Sequence, residues 1–319
     1  MKSRWTGPLA AAIALLLLTG GCGDSADTSP AASSDEGSGS FPVSVEDATG
    51  EVVVERRPER IVSLSPSATE TLFAVGAGDQ VVAVDDQSDY PPSAPTTELS
   101  AYEPNVDAIA GYEPDLVIAP ADVPRDVIGG LRKLGLAVLA EPAPEELQEA
   151  YAQARELGLV TGHPEEGRRV ANEMRARVDE LIESAPDAGS LAVFHELDPD
   201  LYSAASESFI GRIYERLGLR NIADPAAEKT RSPYPQLSAE AVLTADPDIV
   251  VLADSECCGQ TPAKVSRRPG WASISAVRED TVVAIDDDIA SRWGPRLPTF
   301  VSRVVAAMER ASGGERAGG

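Results

Sequence analysis

From residue 41 onward, short apolar runs rich in β-branched residues alternate with stretches of helical periodicity. "GEVVVE" (50–55), "RIVSLSP" (60–66), "VVAV" (81–84), "DLVIA" (115–119) and "AVLA" (137–140) read as strands. Between them, Ser67-Ala68-Thr69-Glu70 has the spacing of a capping box and predicts a helix that ends near Gly76. A short helix starts at Asn105 and another covers about 124–133. Strands separated by helical crossovers predict a largely parallel sheet with helices on both faces.

Residues 144–185 break the alternation. After "TGHPEEG" (161–167), Val170, Met174, Val178 and Leu181 recur at spacings of four, four and three. That is one face of a single amphipathic helix of about 20 residues, about 30 Å long. From Ser190 the alternation resumes. It gives strands "LAVFHEL" (191–197) and "LYSAA" (201–205), helix 208–217, a loop to 237 and helix 238–245. Strands "DIVVLA" (248–253) and "TVVAID" (281–286) and a last helix from about 295 to 311 follow.

A shift of 133 residues lays "NVDAIAGYEPDLVIA" (105–119) on "SAEAVLTADPDIVVL" (238–252) without a gap. The two halves therefore carry one helix–strand unit twice. The pattern predicts two Rossmann-like α/β lobes, 41–145 and 188–312, joined by a linking segment, 146–187, that holds the long rigid helix. A ligand cleft is expected between the lobes, at the strand ends.

Composition adds an address. Lys2 and Arg4 precede "PLAAAIALLLLTG", an apolar run too short to span a bilayer, and Cys22 follows a pair of small residues. Residues 1–22 read as a lipoprotein signal with Cys22 as the lipidation site, although Thr19 departs from the usual pattern and leaves cleavage by ordinary signal peptidase open. Residues 23–40 are small and polar and read as a disordered tether, as do 313–319 at the other end. The formal net charge of −25 speaks against nucleic acid or an anionic membrane surface as the main partner. The other two cysteines, Cys257 and Cys258, are adjacent. In an oxidising compartment they are open to a vicinal disulfide, two free thiols or a link between chains.

The predicted cleft loops carry Ser65-Pro66-Ser67, Tyr90, Tyr102 and Asp122 on the first lobe. On the second they carry His195, Glu196, Tyr234, Arg292 and Trp293. Aromatics on short proline-flanked loops suit a large flat ligand, and Arg292 offers a fork for an oxygen on its rim. Each tyrosine can equally pack its loop onto its own lobe. There is no G-x-S-x-G elbow, no G-x-G-x-x-G fingerprint and no P-loop, so the chain does not read as an enzyme. One cleft histidine is too few to chelate zinc or manganese directly.

"RIVSLSPSATETLFAVG", "SDYPP", "PNVDAIAGYEPDLVIA", "PYPQLSAEAVL" and the R-x-x-P-R from Arg292 to Arg296 carry a resemblance. Over nearly all of 58–311 the chain resembles the substrate-binding proteins of bacterial ABC importers for cobalamin and ferric siderophores, and most closely the cobalamin type. The resemblance implies two α/β lobes bridged by a long helix, a membrane permease dimer with a cytoplasmic ATPase as partner, and an extracytoplasmic, lipid-anchored, monomeric protein without a cofactor of its own. It assigns ligand contacts to Tyr90, to Tyr102 and Tyr234 where relatives have tryptophan, and to Arg292. Pro120–Ala121 and His195–Leu197 stand where relatives carry a Trp and a Phe. It also implies that Asp107 and Glu240, equivalent in the repeat, dock onto the two permease subunits. Cobalamin leads as ligand, a ferric siderophore or haem is the alternative, and a surface sensor or adhesion lipoprotein is the rival outside transport.

Overall fold

The computed structural model describes residues 40–315; the signal segment, Cys22, the tether up to residue 39 and residues 316–319 lie outside the described residues. The chain opens with an antiparallel hairpin, β1 (Val43–Asp47) and β2 (Gly50–Val54). Only β2 was expected; β1 is too short an alternation, Val43 and Val45, to stand out. Its last residue anchors the hairpin: Asp47 accepts from Ala140 N at 2.7 Å and from Arg132 Nη2 at 3.2 Å.

The first lobe follows, with β3 (Ile61–Ser63), α1 (Pro66–Ala74), β4 (Val81–Val84), α2 (Val106–Ala110), β5 (Leu116–Pro120), α3 (Arg125–Lys133) and β6 (Ala137–Glu141). Its strands pair in parallel in the order β4-β3-β5-β6. The cap of α1 is Ser65, whose side chain accepts from Ala68 N, with Pro66 in the first turn. This corrects the capping box expected at Ser67–Glu70. Proline is suited to the first helical position, so the helix starts two residues earlier and Glu70 is released for another role.

Two helices form the link, α4 (Leu147–Val160) and α5 (Pro164–Ser184). The 21-residue α5 touches both lobes. At its start Arg57 Nη2 lies 2.9 Å from His163 Nε2, and near its end Arg216 pairs with Asp179 at 2.9 Å. It does not stand alone, because α4 packs along it.

The second lobe contains β7 (Ala192–Glu196), α6 (Phe209–Arg216), β8 (Arg220–Asn221), α7 (Asp224–Thr230), α8 (Ala239–Ala245), β9 (Ile249–Leu252), α9 (Pro262–Val265), α10 (Ser275–Arg278), β10 (Val282–Ala284), α11 (Asp287–Ser291) and α12 (Leu297–Glu315). The segment "LYSAA" is not a strand; only single bridges at Tyr202 and Ser203 form there. The final helix runs through Glu315, so residues 313–315 are helical and not the start of a disordered tail.

Strand order in this lobe is β8-β7-β9-β10, again all parallel. Each position matches the first lobe. The details match as well. Asn105 caps α2 through Ala108 N, and Ser238 caps α8 through Ala241 N. Asp115 accepts from Glu59 N and Arg60 N before β3, and Asp248 accepts from Ala192 N at the start of β7. The Pro-Asp shared by both copies of the sequence repeat thus fixes the same strand junction in each lobe.

Candidate ligand-binding cleft

Parallel sheets leave their loops at the carboxyl ends of the strands, and ligands gather there. In the first lobe that edge comprises Leu64–Ser67 after β3, Pro120–Asp122 after β5, and Glu141 at the end of β6. Together they form one wall of a 700 Å³ cavity. Its other wall is Asp288, Ser291, Arg292 and Trp293, from α11 and the residues after it. Tyr102, 80% exposed, stands at this cavity as well.

Arg292 is already occupied. Its Nη1 lies 3.3 Å from Glu70 Oε1 and 3.3 Å from Asp89 Oδ1. Its Nη2 donates to Gln87 O at 2.7 Å and pairs with Asp288 at 2.5 Å. Arg296 forks onto the same Glu70, with Nε 3.0 Å from Oε2 and Nη2 2.6 Å from Oε1. The carboxylate of Glu70 is almost wholly buried and takes both cations. These bonds join a segment of the second lobe to α1 of the first. Trp293 follows the same path: its backbone N donates to Ser67 Oγ at 3.4 Å, and its ring meets Phe209 edge-on at 6.3 Å. Arg292 and Trp293 therefore hold the lobes in register while they face the cavity.

The expected site residues divide. Tyr102, Arg292 and Trp293 come together at the cavity, with Asp122 opposite. Tyr90 is half exposed beside it and lies under the Arg296 guanidinium, 4.2 Å from the ring centre. Tyr234 is half exposed on the loop before α8 and does not line this cavity. His195 is a correction. It is 0% exposed, packs against Phe300 and lies with Nδ1 2.6 Å from Tyr214 Oη. Every residue of β7 is buried, because a central parallel strand is covered on both faces, so a histidine there points into the core. Burial pushes its pKa down to about 3. Its neighbour Glu196 is equally buried and grips Arg268 through two bonds of 2.6 and 2.5 Å.

Cys257 and Cys258 are joined to each other. Asp287 pins their loop, accepting from Glu256 N at 2.9 Å and Cys257 N at 2.8 Å. Asp107 and Glu240 are exposed in the first turns of α2 and α8, and neither makes a salt bridge among the described residues.

Three acidic residues of this region went unread in the sequence. Glu70 was hidden by its fit to a capping box. Asp288 was legible as the acid four residues before Arg292 on one helical face. Burial raises its pKa to about 6 against the pull of Arg292. Glu141 was legible as the charged end of the apolar strand "AVLAE". Burial, with Glu156 beside it, raises its pKa to about 8, and its Oε1 has no hydrogen-bond partner among the described residues.

The profile of the periplasmic binding proteins matches residues 61–289. The chain belongs to the periplasmic binding protein family. It is a solute-binding protein of the extracytoplasmic space and not an enzyme. It is 30% identical to an uncharacterised ABC transporter substrate-binding lipoprotein of Bacillus subtilis, over 97% of this chain and 98% of that one. It is 32% identical to a cobalamin-binding protein of Halobacterium salinarum, over 86% of this chain and 76% of the relative. Among solved structures, the periplasmic vitamin B12 binding protein of Vibrio cholerae aligns with a TM-score of 0.66 at 29% identity, covering 80% of this chain and 98% of its own. A periplasmic haem-binding protein from Roseiflexus sp. RS-1 aligns at 0.67 and 26%, covering 79% and 99%.

Proposed function

We propose that the protein is the solute-binding component of an ABC importer, that its cargo is cobalamin, and that it works as a monomer tethered to the membrane by lipid on Cys22. A permease dimer and its ATPase would receive the cargo. The relatives named for cobalamin and vitamin B12 support this reading. The observation that carries it is the charge of the cleft.

Its wall holds the carboxylates of Asp122 and Asp288, beside the neutral carboxyl group of Glu141, and among the described lining residues it has one cation, Arg292, which is bound by Glu70, Asp89 and Asp288. An anionic cargo such as haem, with two carboxylates, would enter against repulsion and find no unpaired cation among the described lining residues. The described lining residues include no histidine to ligate haem iron, since His195 lies in the core, and Tyr102 is the one tyrosine among them that offers an alternative ligand. Cobalamin presents a rim of neutral carboxamides, which both donate and accept, and such a rim is compatible with acidic walls.

The test is calorimetric titration of the full chain in detergent with cyanocobalamin, with haem and a ferric hydroxamate siderophore run in parallel. Submicromolar binding of cyanocobalamin, with haem at least tenfold weaker, is expected. Tighter binding of haem or the siderophore would overturn the cargo assignment and leave the family unchanged.

A further inference from the structure

Glu141 has no structural task that explains it. It ends β6 at the junction of two cavities, lining both the 700 Å³ cleft and a second one of 320 Å³ beside α4. It is 8% exposed, and its Oε1 is buried without a hydrogen-bond partner among the described residues. A buried carboxyl group without a partner is costly unless something completes it.

We propose that Glu141 is a specificity-determining residue of the cleft, whose carboxyl group turns out from its buried position to pair edge-on with a primary carboxamide on the rim of the cargo. The O–H donates to the amide carbonyl, and the carbonyl oxygen of the acid accepts one amide N–H. The inference rests on the cobalamin reading, because a carboxamide rim is what such a group recognises.

The surroundings favour the neutral acid that this pairing needs. The two cavities it lines are shared with Glu149 and Glu156 of α4, Glu145 of the loop before α4, Glu46 and Asp47 of β1, and Asp122 of the loop after β5, and of these Glu156 acts on it directly. The basic group on this side, Arg132 of α3, is taken by Asp47 at 3.2 Å and by Val138 O at 2.9 Å. Arg292 across the cleft is held by its own carboxylates. An ionised Glu141 would therefore sit in a desolvated wall among like charges. Its pKa of about 8 agrees with this. Ionised, the group only accepts, and the bond to the amide carbonyl is lost.

The experiment measures the dissociation constant for cyanocobalamin from pH 6.5 to 9.5, by calorimetry of the full chain in two buffers of different ionisation heat. The proteins are the parent chain, Glu141→Gln and Glu141→Leu. The parent is expected to weaken about three- to tenfold across this range and to take up a proton on binding near its transition. Glu141→Gln keeps a donor and an acceptor at every pH. It should bind as tightly as the parent at pH 6.5 and stay flat, without the proton uptake. Glu141→Leu should bind weakly at every pH. Because the glutamine is isosteric, the test does not depend on the leucine variant folding. Cobalamin binding that is independent of pH in the parent, or a pH profile that survives in Glu141→Gln, overturns the assignment while the cargo stands. No cobalamin binding at any pH overturns the cargo, and this inference with it.

Discussion

At the scale of single residues, two of the buried titratable groups, one basic and one acidic, pull stability in opposite directions. His195 is neutral in the fold with its pKa lowered to about 3, whereas in the unfolded chain it takes a proton near 6.5. Between those values the unfolded state binds more protons, so the fold loses stability as pH falls from 6.5 toward 3. Glu141 does the reverse. Its folded pKa of about 8 lies above the usual carboxylate value, so the fold loses stability as pH rises from about 4.5 to 8. His195→Phe separates the two. At pH 8 it leaves the Tyr214 hydroxyl without its 2.6 Å partner, and a loss of about 1–3 kcal/mol is expected. At pH 4.5 the variant has no imidazole to protonate, so its deficit should shrink or reverse. Urea denaturation at the two pH values reads this directly; equal deficits at both would show that His195 is not held neutral. The residue also shows what a sequence hides. A histidine at the end of a strand looks like a cleft residue until the strand is known to be central and covered on both faces. "AVFHE" contained the clue, since a parallel strand buried throughout has no outward side.

At the scale of elements, the link between the lobes depends on two glycines. A Cβ on Gly158 of α4 would stand 2.6 Å from the Gly167 Cα and 2.7 Å from His163 O. Both partners are backbone and cannot give way, so α4 and the start of α5 touch through bare chain. Gly158→Ala should therefore cost about 1–3 kcal/mol by overpacking, although alanine is the better helix former. Gly129 in α3 is the control: a Cβ there meets nothing within 4 Å. Gly129→Ala should stabilise by about 0.5–1 kcal/mol. Thermal melts of the pair, one falling and one rising, check both. The long helix was legible from Val170, Met174, Val178 and Leu181 because an amphipathic face repeats over many turns. The central strands were legible because they are apolar and flanked by turns. The two-residue β8, the four-residue α9 and α10 and the five-residue α11 were not, since one turn of helix has no period to read. "LYSAA" failed for a different reason: its residues have strand propensity, but they make only single bridges in the structure. The cleft was legible in outline, through Tyr102, Arg292 and Trp293. The partners of Arg292 were not. Glu70 lies 222 positions away along the chain, and no local pattern spans that separation.

At the scale of the whole molecule, the duplicated topology becomes a statement about the partner. Both sheets have one strand order, and α2 precedes β5 as α8 precedes β9. Each of these helices has a capped start with an exposed acid in its first turn, Asp107 in one and Glu240 in the other. An acid near a helix N-terminus is stabilised by the backbone dipole, which explains either one alone. That explanation does not require both acids to remain free of salt bridges among the described residues at equivalent places in the two lobes. Docking to a partner with two-fold symmetry would account for it, if each of its halves met one lobe through the same contact. Exposed charge pairs of this kind steer docking more than they add affinity. Asp107→Lys with Glu240→Lys should therefore abolish uptake of labelled cobalamin by cells, while the purified chain keeps its dissociation constant within about twofold. Each single variant should reduce uptake in part, since one lobe still docks. Neither acid is among the cavity's lining residues, so the two readouts are separable. Uptake that survived the double reversal would place the permease contact elsewhere on the surface. Uptake lost together with binding would show that the substitutions damaged the lobes and not the docking.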